Sequence, residues 1–290
     1  MTTPTTSIVV TGATGQLGRL VLAALLKQAP AAQLVAAVRS PEKAQDLAAQ
    51  GIQVRKADYD QPETLVEAFR GAAKMLLISS SEIGKRFTQH RAAVDAAKAA
   101  GVPLLAYTSV LHAETSPLPL ALEHRETEAY LKASGLPFVL LRNGWYTENY
   151  AASIPSALQH GAFLGSAGDG KIASAARADY AEAAAAVLLR DGQAGQVYEL
   201  AGDTAYTLRE LAKEISRQSG KAVAYQNLPE AEFQAILLGA GLPGAVASLL
   251  AESDTGAAKG GLFDDSRTLS RLIDRPTTPM AESVAAALRG

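Results

Sequence analysis

The chain has 290 residues, 48% of them hydrophobic and 19% charged, with a formal net charge of −2: enough for one large α/β core, without the clustered basic face that nucleic-acid phosphates demand. The absence of cysteine excludes disulfides, thiolate metal sites and cysteine nucleophiles together. His90, His112, His124 and His160 stand too far apart for an HxH or HExxH ligand pair, so no metal is expected; MTTPTTS lacks a basic-then-apolar signal and no apolar run nears a membrane span, which makes the cytoplasm the expected address.

In chain order, a first strand over Ser7 to Thr11 runs into "TGATGQLG", residues 11–18, and a helix over Gln16 to Gln28. Gly12, Gly15 and Gly18 follow a strand, open a helix and begin a βαβ unit. In that context glycines let backbone N–H groups approach a pyrophosphate, and the helix N-terminus adds partial positive charge. The second strand, Gln33 to Val38, ends in Arg39, 21 positions after Gly18, and carries no carboxylate. An acidic residue there suits the ribose hydroxyls of NAD, whereas an arginine suits a 2′-phosphate, so NADPH is the expected cofactor. A solvated charge at a strand end is the plainer alternative.

Ser40-Pro41-Glu42 places a capping side chain before a helix over Pro41 to Gln50. A third strand, Gln53 to Ala57, is followed by Asp58 and Tyr59, which line an adenine pocket or simply form the turn before a helix over Pro62 to Arg70. The fourth strand, Met75 to Ser79, ends in Ser79, Ser80 and Ser81. Ligands of open α/β sheets bind outside the carboxyl ends of strands, so these hydroxyls are expected to face the cofactor. A helix over Lys85 to Ala100, a strand over Leu104 to Thr108, a helix over Leu120 to Ser134 and a strand over Phe138 to Arg142 complete the alternation. Gly51, Gly71, Gly101 and Gly135 mark helix ends. The fold class is α/β, a doubly wound parallel (Rossmann) sheet covered on both faces.

After the sixth strand comes "LLRNGWYTENY", residues 140–150. Amides there, Asn143 above all, can hold a nicotinamide carboxamide; Trp145 and Tyr146 either stack on a planar substrate or belong to the core. Beyond Asn143 the rhythm loosens. A glycine-rich stretch covers 161–170, a helix Tyr180 to Leu189 and a strand Val197 to Leu200. Further helices are expected over Leu208 to Gln218, Glu230 to Leu238 and Pro279 to Leu288. The domain reading is a dinucleotide-binding core over 1–150 and a smaller C-terminal lobe over 151–290 that completes a cleft without being independent. Asp179, in "ARADYAE", reads as a helix cap. "KGGLFDDS", residues 259–266, is a substrate-side loop or a plain connector.

Reducing an ordinary carbonyl calls for a general acid, which in dinucleotide-binding folds of this kind is usually a tyrosine with a lysine four residues later. Tyr107 is followed at that position by Leu111, Tyr130 by Ser134 and Tyr146 by Tyr150, so the pair is missing. On the helix after the fifth strand, His124 and Glu128 share a face and form an acid/base pair or a surface pair.

"TGATGQLG", Arg39, "LLISSSE", "AYTSVLHA", "LLRNGWYTENY" and "KGGLFDDS", with no Y-x-x-x-K, resemble the NmrA-like atypical short-chain dehydrogenases, and within them the type 2 NAD(P)H:quinone oxidoreductases, over essentially the whole chain. The resemblance implies a flavin-free enzyme that passes hydride from NADPH to a quinone. It implies that Gly12, Ala13, Thr14, Gly15, Gln16, Leu17, Arg39, Ser79, Ser80, Ser81, Asn143, Gly144, Trp145, Tyr146, Thr147 and Glu148 hold the cofactor. The extension MTTPTT departs from the compact start of such proteins. A small-molecule quinone is the expected partner, with neither nucleic acid nor membrane insertion; an oligomer is compatible with the reading.

The missing tyrosine fits that acceptor. Hydride on an aliphatic ketone leaves a basic alkoxide that needs a general acid, whereas hydride on a quinone leaves a phenolate-like oxygen that solvent can protonate. Orientation then carries most of the work, and Asn143 is the candidate catalytic residue, donating to the developing oxyanion. The rival is an NADP(H)-binding redox sensor of the NmrA type that turns nothing over. A third reading is a reductase or epimerase of another planar or sugar substrate.

Overall fold

The computed structural model of the protein describes residues 7–289; the extension MTTPTT, residues 1–6, lies outside them. β1 (Ser7–Thr11) is buried at all five positions, walled in on both faces as a central parallel strand must be. The chain turns through Gly12 and Gly15 into α1 (Gln16–Leu26), whose buried Leu17, Gly18, Val21, Leu22 and Leu25 share one face. β2 (Leu34–Val38) is again fully buried. The helix expected from Pro41 opens as a tight 3₁₀ turn, Pro41–Ala44, before α2 (Gln45–Ala49). Ser40 makes no side-chain cap there, contrary to expectation: its carbonyl closes the turn instead, accepting the Lys43 N–H at 3.1 Å.

β3 (Gln53–Lys56), α3 (Glu63–Phe69), β4 (Ala72–Leu77), α4 (Arg86–Ala99), β5 (Leu105–Val110), α5 (Ala121–Ala133) and β6 (Phe138–Asn143) continue the alternation. Next come α6 (Thr147–Ala151), α7 (Ile154–His160), β7 (Ala162–Gly165), α8 (Arg177–Leu189) and β8 (Val197–Leu200). The chain ends in α9 (Leu208–Ser219), β9 (Ala224–Asn227), α10 (Glu230–Gly239), α11 (Gly244–Ala258), α12 (Thr268–Ile273) and α13 (Met280–Arg289).

The main sheet has the order β3-β2-β1-β4-β5-β6-β8. β1 pairs in parallel with both β2 and β4, β2 with β3, and β4 with β5. The chain therefore steps outward from β1 to β3, then returns to the other side of β1 at β4. That reversal is the doubly wound switch point, and ligand crevices open at the carboxyl ends of the two strands that flank it. β3, at one edge, is only partly buried and carries polar side chains, as an edge strand should.

Two compact units divide the chain. The first comprises residues 7–110, Glu123–Arg142 and Tyr180–Tyr198; its core gathers Val9, Val35, Leu65, Phe69, Met75, Leu105, Tyr107 and Leu140. The second comprises Leu111–Leu122, Asn143–Asp179 and residues 199–289, around Trp145, Tyr150, Ile154, Phe163, Tyr206, Leu211, Ile215 and Leu262. A single cut at residue 150 differs from this division. The chain leaves the first unit wherever β5 and β6 end, at Leu111 and Asn143, and re-enters it at Glu123 and Tyr180.

The second unit also holds elements that the sequence pattern does not announce. β7 and β9 form a two-stranded parallel sheet, each only four residues long and too short to show alternation. α11 is hidden by its small residues and its bounding glycines. By contrast α9 announces itself: Thr207 accepts from the Glu210 N–H and Glu210 reaches back to the Thr207 N–H, a reciprocal cap.

Candidate functional site

The turn after β1 is shaped so that no side chain fits within it. Gly12 has φ +58, and a methyl added at Gly18 would lie 2.4 Å from the Gly12 carbonyl oxygen and 2.7 Å from the Ala13 Cα. α1 therefore packs its first turn directly on the loop backbone. Gly15 is its N-cap and offers no side-chain cap, and no acidic residue stands in the first turn. The first helical N–H groups have no helical acceptor and the dipole there is positive, a donor set suited to a diphosphate. Arg19 braces the loop: Nε donates to the Thr14 carbonyl at 3.2 Å, Nη2 to the Lys43 carbonyl at 3.1 Å, and Nη1 pairs with Asp46.

Below the turn, Thr11 joins β1 to β4. Its hydroxyl donates to the Leu76 carbonyl at 3.1 Å and accepts from the Ile78 N–H at 3.0 Å and the Tyr59 hydroxyl at 2.7 Å. Burial pushes the Tyr59 phenol well above its ordinary pKa, so it remains a donor. Its hydroxyl is thus committed inward, and Asp58 spends Oδ1 on the Asp60 N–H at 3.1 Å, within its own turn. Arg39, after β2, is exposed and pairs with Glu82 at 3.3 Å.

The serines after β4 divide in role. Ser80 has every polar group engaged: its N–H donates to His90 Nε2 at 2.8 Å, its carbonyl accepts from Arg86 Nε at 2.7 Å, and its hydroxyl meets Gln89 and the Glu82 N–H. Ser80 builds the loop. The Ser79 N–H donates to Thr108 Oγ1 at 2.8 Å. Ser79 is half-buried and Ser81 exposed, just beyond the carboxyl end of β4.

His124 and Glu128 are not a surface pair; both are buried, at 4% and 2% exposure, and each is bound to a different partner. Because Ser80 donates to His90 Nε2, the proton of that ring sits on Nδ1 and goes to Thr127 Oγ1 at 3.0 Å. The Tyr107 hydroxyl, whose pKa burial raises, shares a hydrogen bond with His124 Nδ1 at 2.7 Å. Burial, reinforced by the Arg86 charge, pushes His90 down to about 3 and His124 well below its ordinary value, so both rings are neutral. Glu128 accepts from Arg142 Nε at 2.9 Å and Nη2 at 2.6 Å, and from the Ser109 hydroxyl at 2.6 Å. These groups lace β5, β6, α4 and α5 together beneath the sheet's carboxyl edge.

In the second unit, the stretch after β6 is half helix rather than loop, since Thr147 begins α6. Trp145 sits in the apolar core of that unit. Gly144 N–H donates to the Leu200 carbonyl at 2.7 Å, Thr147 shares a hydrogen bond with Ser174 at 2.8 Å, and both Glu148 oxygens accept the Arg177 N–H. The Arg177 guanidinium lies 4.7 Å from the Tyr146 ring centroid. Asn143 differs from its neighbours. It is buried to 6% exposure; Nδ2 donates to the Tyr146 hydroxyl at 3.3 Å, while Oδ1 has no hydrogen-bond partner among the described residues. An orphaned buried carbonyl calls for an external donor, and a primary carboxamide supplies one. Taken separately, the glycine cradle of the first unit fits a diphosphate, and the orphaned acceptor of the second fits a carboxamide donor.

Asp179, expected as a cap, lies inside α8 with no exposure. It accepts from Arg275 Nη2 at 2.6 Å and from the Thr278 N–H at 2.8 Å, tying the C-terminal segment down. In "KGGLFDDS", Asp264 stands 3.4 Å from His112 Nε2, and the Phe263 carbonyl accepts from that nitrogen at 3.2 Å. His112 has φ +51 and its N–H donates to Glu199 at 2.8 Å; a strained backbone after β5 leaves no trace in a single sequence.

Asp254 on α11 is a buried carboxyl that nothing in the sequence marks. Its oxygens accept from the Tyr150 hydroxyl at 3.0 Å and the Ser166 N–H at 2.9 Å, yet burial outweighs both and raises it from 3.8 to about 6. The folded state thus binds a proton more tightly than the unfolded chain, and stability falls as pH rises from about 4 to about 6. Asp254→Asn, which mimics the protonated acid, is expected to remove that decline. Urea midpoints measured for both proteins across this window check it.

The sequence model of the NmrA-like family matches residues 4–283. The chain is 63% identical over 278 residues to quinone oxidoreductase 2 of Escherichia coli K12, covering 96% of this chain and 97% of that protein. Among solved structures it resembles the NADPH-dependent quinone oxidoreductase of Escherichia coli complexed with NADPH, with a TM-score of 0.95 and 62% identity over 97% of this chain and 99% of that one. It also resembles the Citrobacter sp. triphenylmethane reductase complexed with NADP(H), with a TM-score of 0.93 and 40% identity over 97% of this chain and all of the other.

Proposed function

The chain belongs to the NmrA-like family, and from that premise we propose that it is an NADPH-dependent quinone reductase working without flavin and without a tyrosine–lysine acid pair. The acceptor rests on the near whole-chain similarity to the Escherichia coli quinone oxidoreductase. The cofactor rests on the glycine cradle and on Arg39. Bound NADPH supplies the hydride, and the protein's own residues bind and orient the two reactants.

Backbone N–H groups between Gly12 and Leu17 hold the diphosphate, apart from that of Gly15, which donates to the Gly12 carbonyl, and Arg39 neutralises the 2′-phosphate. Ser79 and Ser81 offer hydroxyls where ligands of such sheets lie, while Ser80 shapes their loop. Asn143 is the residue we assign to the reacting end. Its Oδ1 accepts from the carboxamide N–H and so fixes the ring's orientation. The amide hydrogen that Tyr146 does not take donates to the quinone oxygen as negative charge develops. Tyr146 holds the Asn143 amide through its hydroxyl, while Gly144, Trp145, Thr147 and Glu148 are anchored within the second unit by their own hydrogen bonds and packing. The proposed setting is the cytoplasm; among the described residues no helix is long and apolar enough to cross a membrane.

NADPH absorbance followed with and without a small benzoquinone tests the activity. Quinone-dependent oxidation is expected, and binding without oxidation would favour a redox sensor. Asn143→Ala is expected to lower turnover about ten- to a hundredfold, the worth of one hydrogen bond to a charged group, and to change the NADPH dissociation constant less. Steady-state kinetics alongside a binding titration separate the two; unchanged turnover would remove Asn143 from the chemistry.

A further inference from the structure

Arg39 is not idle in the free protein. Its Nη1 lies 3.3 Å from Glu82 Oε1, and the other oxygen of the same carboxylate, Oε2, lies 3.5 Å from Lys85 Nζ. One carboxylate is divided between two cations, one oxygen to each. Its place is fixed by the loop after β4. The Glu82 N–H donates to Ser80 Oγ at 3.1 Å, that hydroxyl is held by Gln89, and Gln89 Nε2 is held by Asp60 Oδ1 at 3.0 Å. Ser80, which otherwise spends all its polar groups on structure, thus carries Glu82 to Arg39.

We propose that Glu82 is an internal competitor for the 2′-phosphate at Arg39, and so sets how strongly the protein prefers the phosphorylated dinucleotide. The proposal rests on the assignment of Arg39 to that phosphate. A carboxylate and a phosphate dianion repel across a few ångströms, so the arriving phosphate must displace Glu82 from the guanidinium. Lys85 makes displacement easy, because the carboxylate keeps one cation when it gives up the other. An unphosphorylated dinucleotide has nothing to exchange and leaves the Arg39–Glu82 pair as it is. The competitor therefore weakens NADPH binding without affecting NADH, and recaptures Arg39 when the nucleotide leaves.

Nicotinamide fluorescence titrations with NADPH and with NADH test this on the full chain. The proteins are wild type, Glu82→Gln, Arg39→Ala and the double variant, with circular dichroism confirming that each is folded. Glu82→Gln keeps the side chain's size and removes its charge. It is expected to tighten NADPH about three- to tenfold, the range open to an exposed ion pair with one added repulsion, and to change NADH less than about twofold. In the Arg39→Ala background it is expected to do nothing to NADPH. Equal tightening of both nucleotides, no tightening, or an effect that survives Arg39→Ala would each overturn the proposal. If Arg39→Ala alone keeps the wild-type ratio of the two affinities, the phosphate assignment itself has failed, and the competitor falls with it.

Discussion

Gly18→Ala is expected to lower NADPH affinity about a hundredfold while the protein still folds. The added methyl would meet the Gly12 carbonyl oxygen at 2.4 Å and the Ala13 Cα at 2.7 Å. Both are backbone atoms, so no rotamer change relieves the contact. Either α1 tilts away from the loop or the loop moves, and in both cases the N–H groups around Gly12 to Leu17 lose their common aim. Displacements of about 1 Å in positioned groups cost on the order of a hundredfold in rate, and a loss of the same order is expected in affinity when several diphosphate donors are misaimed together; overpacking of this kind costs about 1–3 kcal/mol of stability. Gly101→Ala is the control. Gly101, unlike Gly18, has a positive φ, +69, but nothing lies within 4 Å of its added methyl; it is expected to lose about 1–2 kcal/mol and no affinity. Binding titrations and urea melts on the two variants separate the roles, and equal affinity loss in both would mean that the close approach at Gly18 is unimportant.

Glu128→Ala is expected to destabilise the first unit by about 3–5 kcal/mol, the range found when one partner of a buried ion pair is removed. Glu128 and Arg142 have side-chain exposures of 2% and 7%, and their contact is bidentate at 2.9 and 2.6 Å. Deleting the carboxylate leaves a buried guanidinium without that partner and the Ser109 hydroxyl without its acceptor. The loss should appear in urea unfolding as a lowered midpoint. A loss under about 1 kcal/mol, typical of exposed pairs, would show that the pair is far more solvated than its geometry implies.

The two variants also mark what a sequence discloses. The Gly18 role was legible because spacing, a preceding strand and a following helix all point to one backbone geometry. The place of Arg39 at the end of β2 was legible for a similar reason; its duty toward a 2′-phosphate is what we propose. Glu128 was not. Its distance from His124 shows that the two share a helix face, but not whether that face is wet; burial depends on β5 and β6, which are distant in sequence, and on Arg142, which reads as an ordinary strand-end charge. Ser80 failed in the same way, because three consecutive serines carry no mark of which one the buried His90 and Arg86 consume. In "LLRNGWYTENY" the chemistry of the amide was visible, whereas the start of α6 at Thr147 and the burial of Trp145 required the second unit's packing. β7, β9 and α11 stayed hidden because short strands and small-residue helices carry weak periodicity.

If the turn after β1 and the guanidinium of Arg39 together select a phosphorylated dinucleotide, as proposed, parallel fluorescence titrations of the wild-type protein with NADPH and NADH at one ionic strength test it most directly. NADPH is expected to bind about tenfold more tightly or better, as one charge-assisted contact allows; equal affinities for the two nucleotides would contradict that selection.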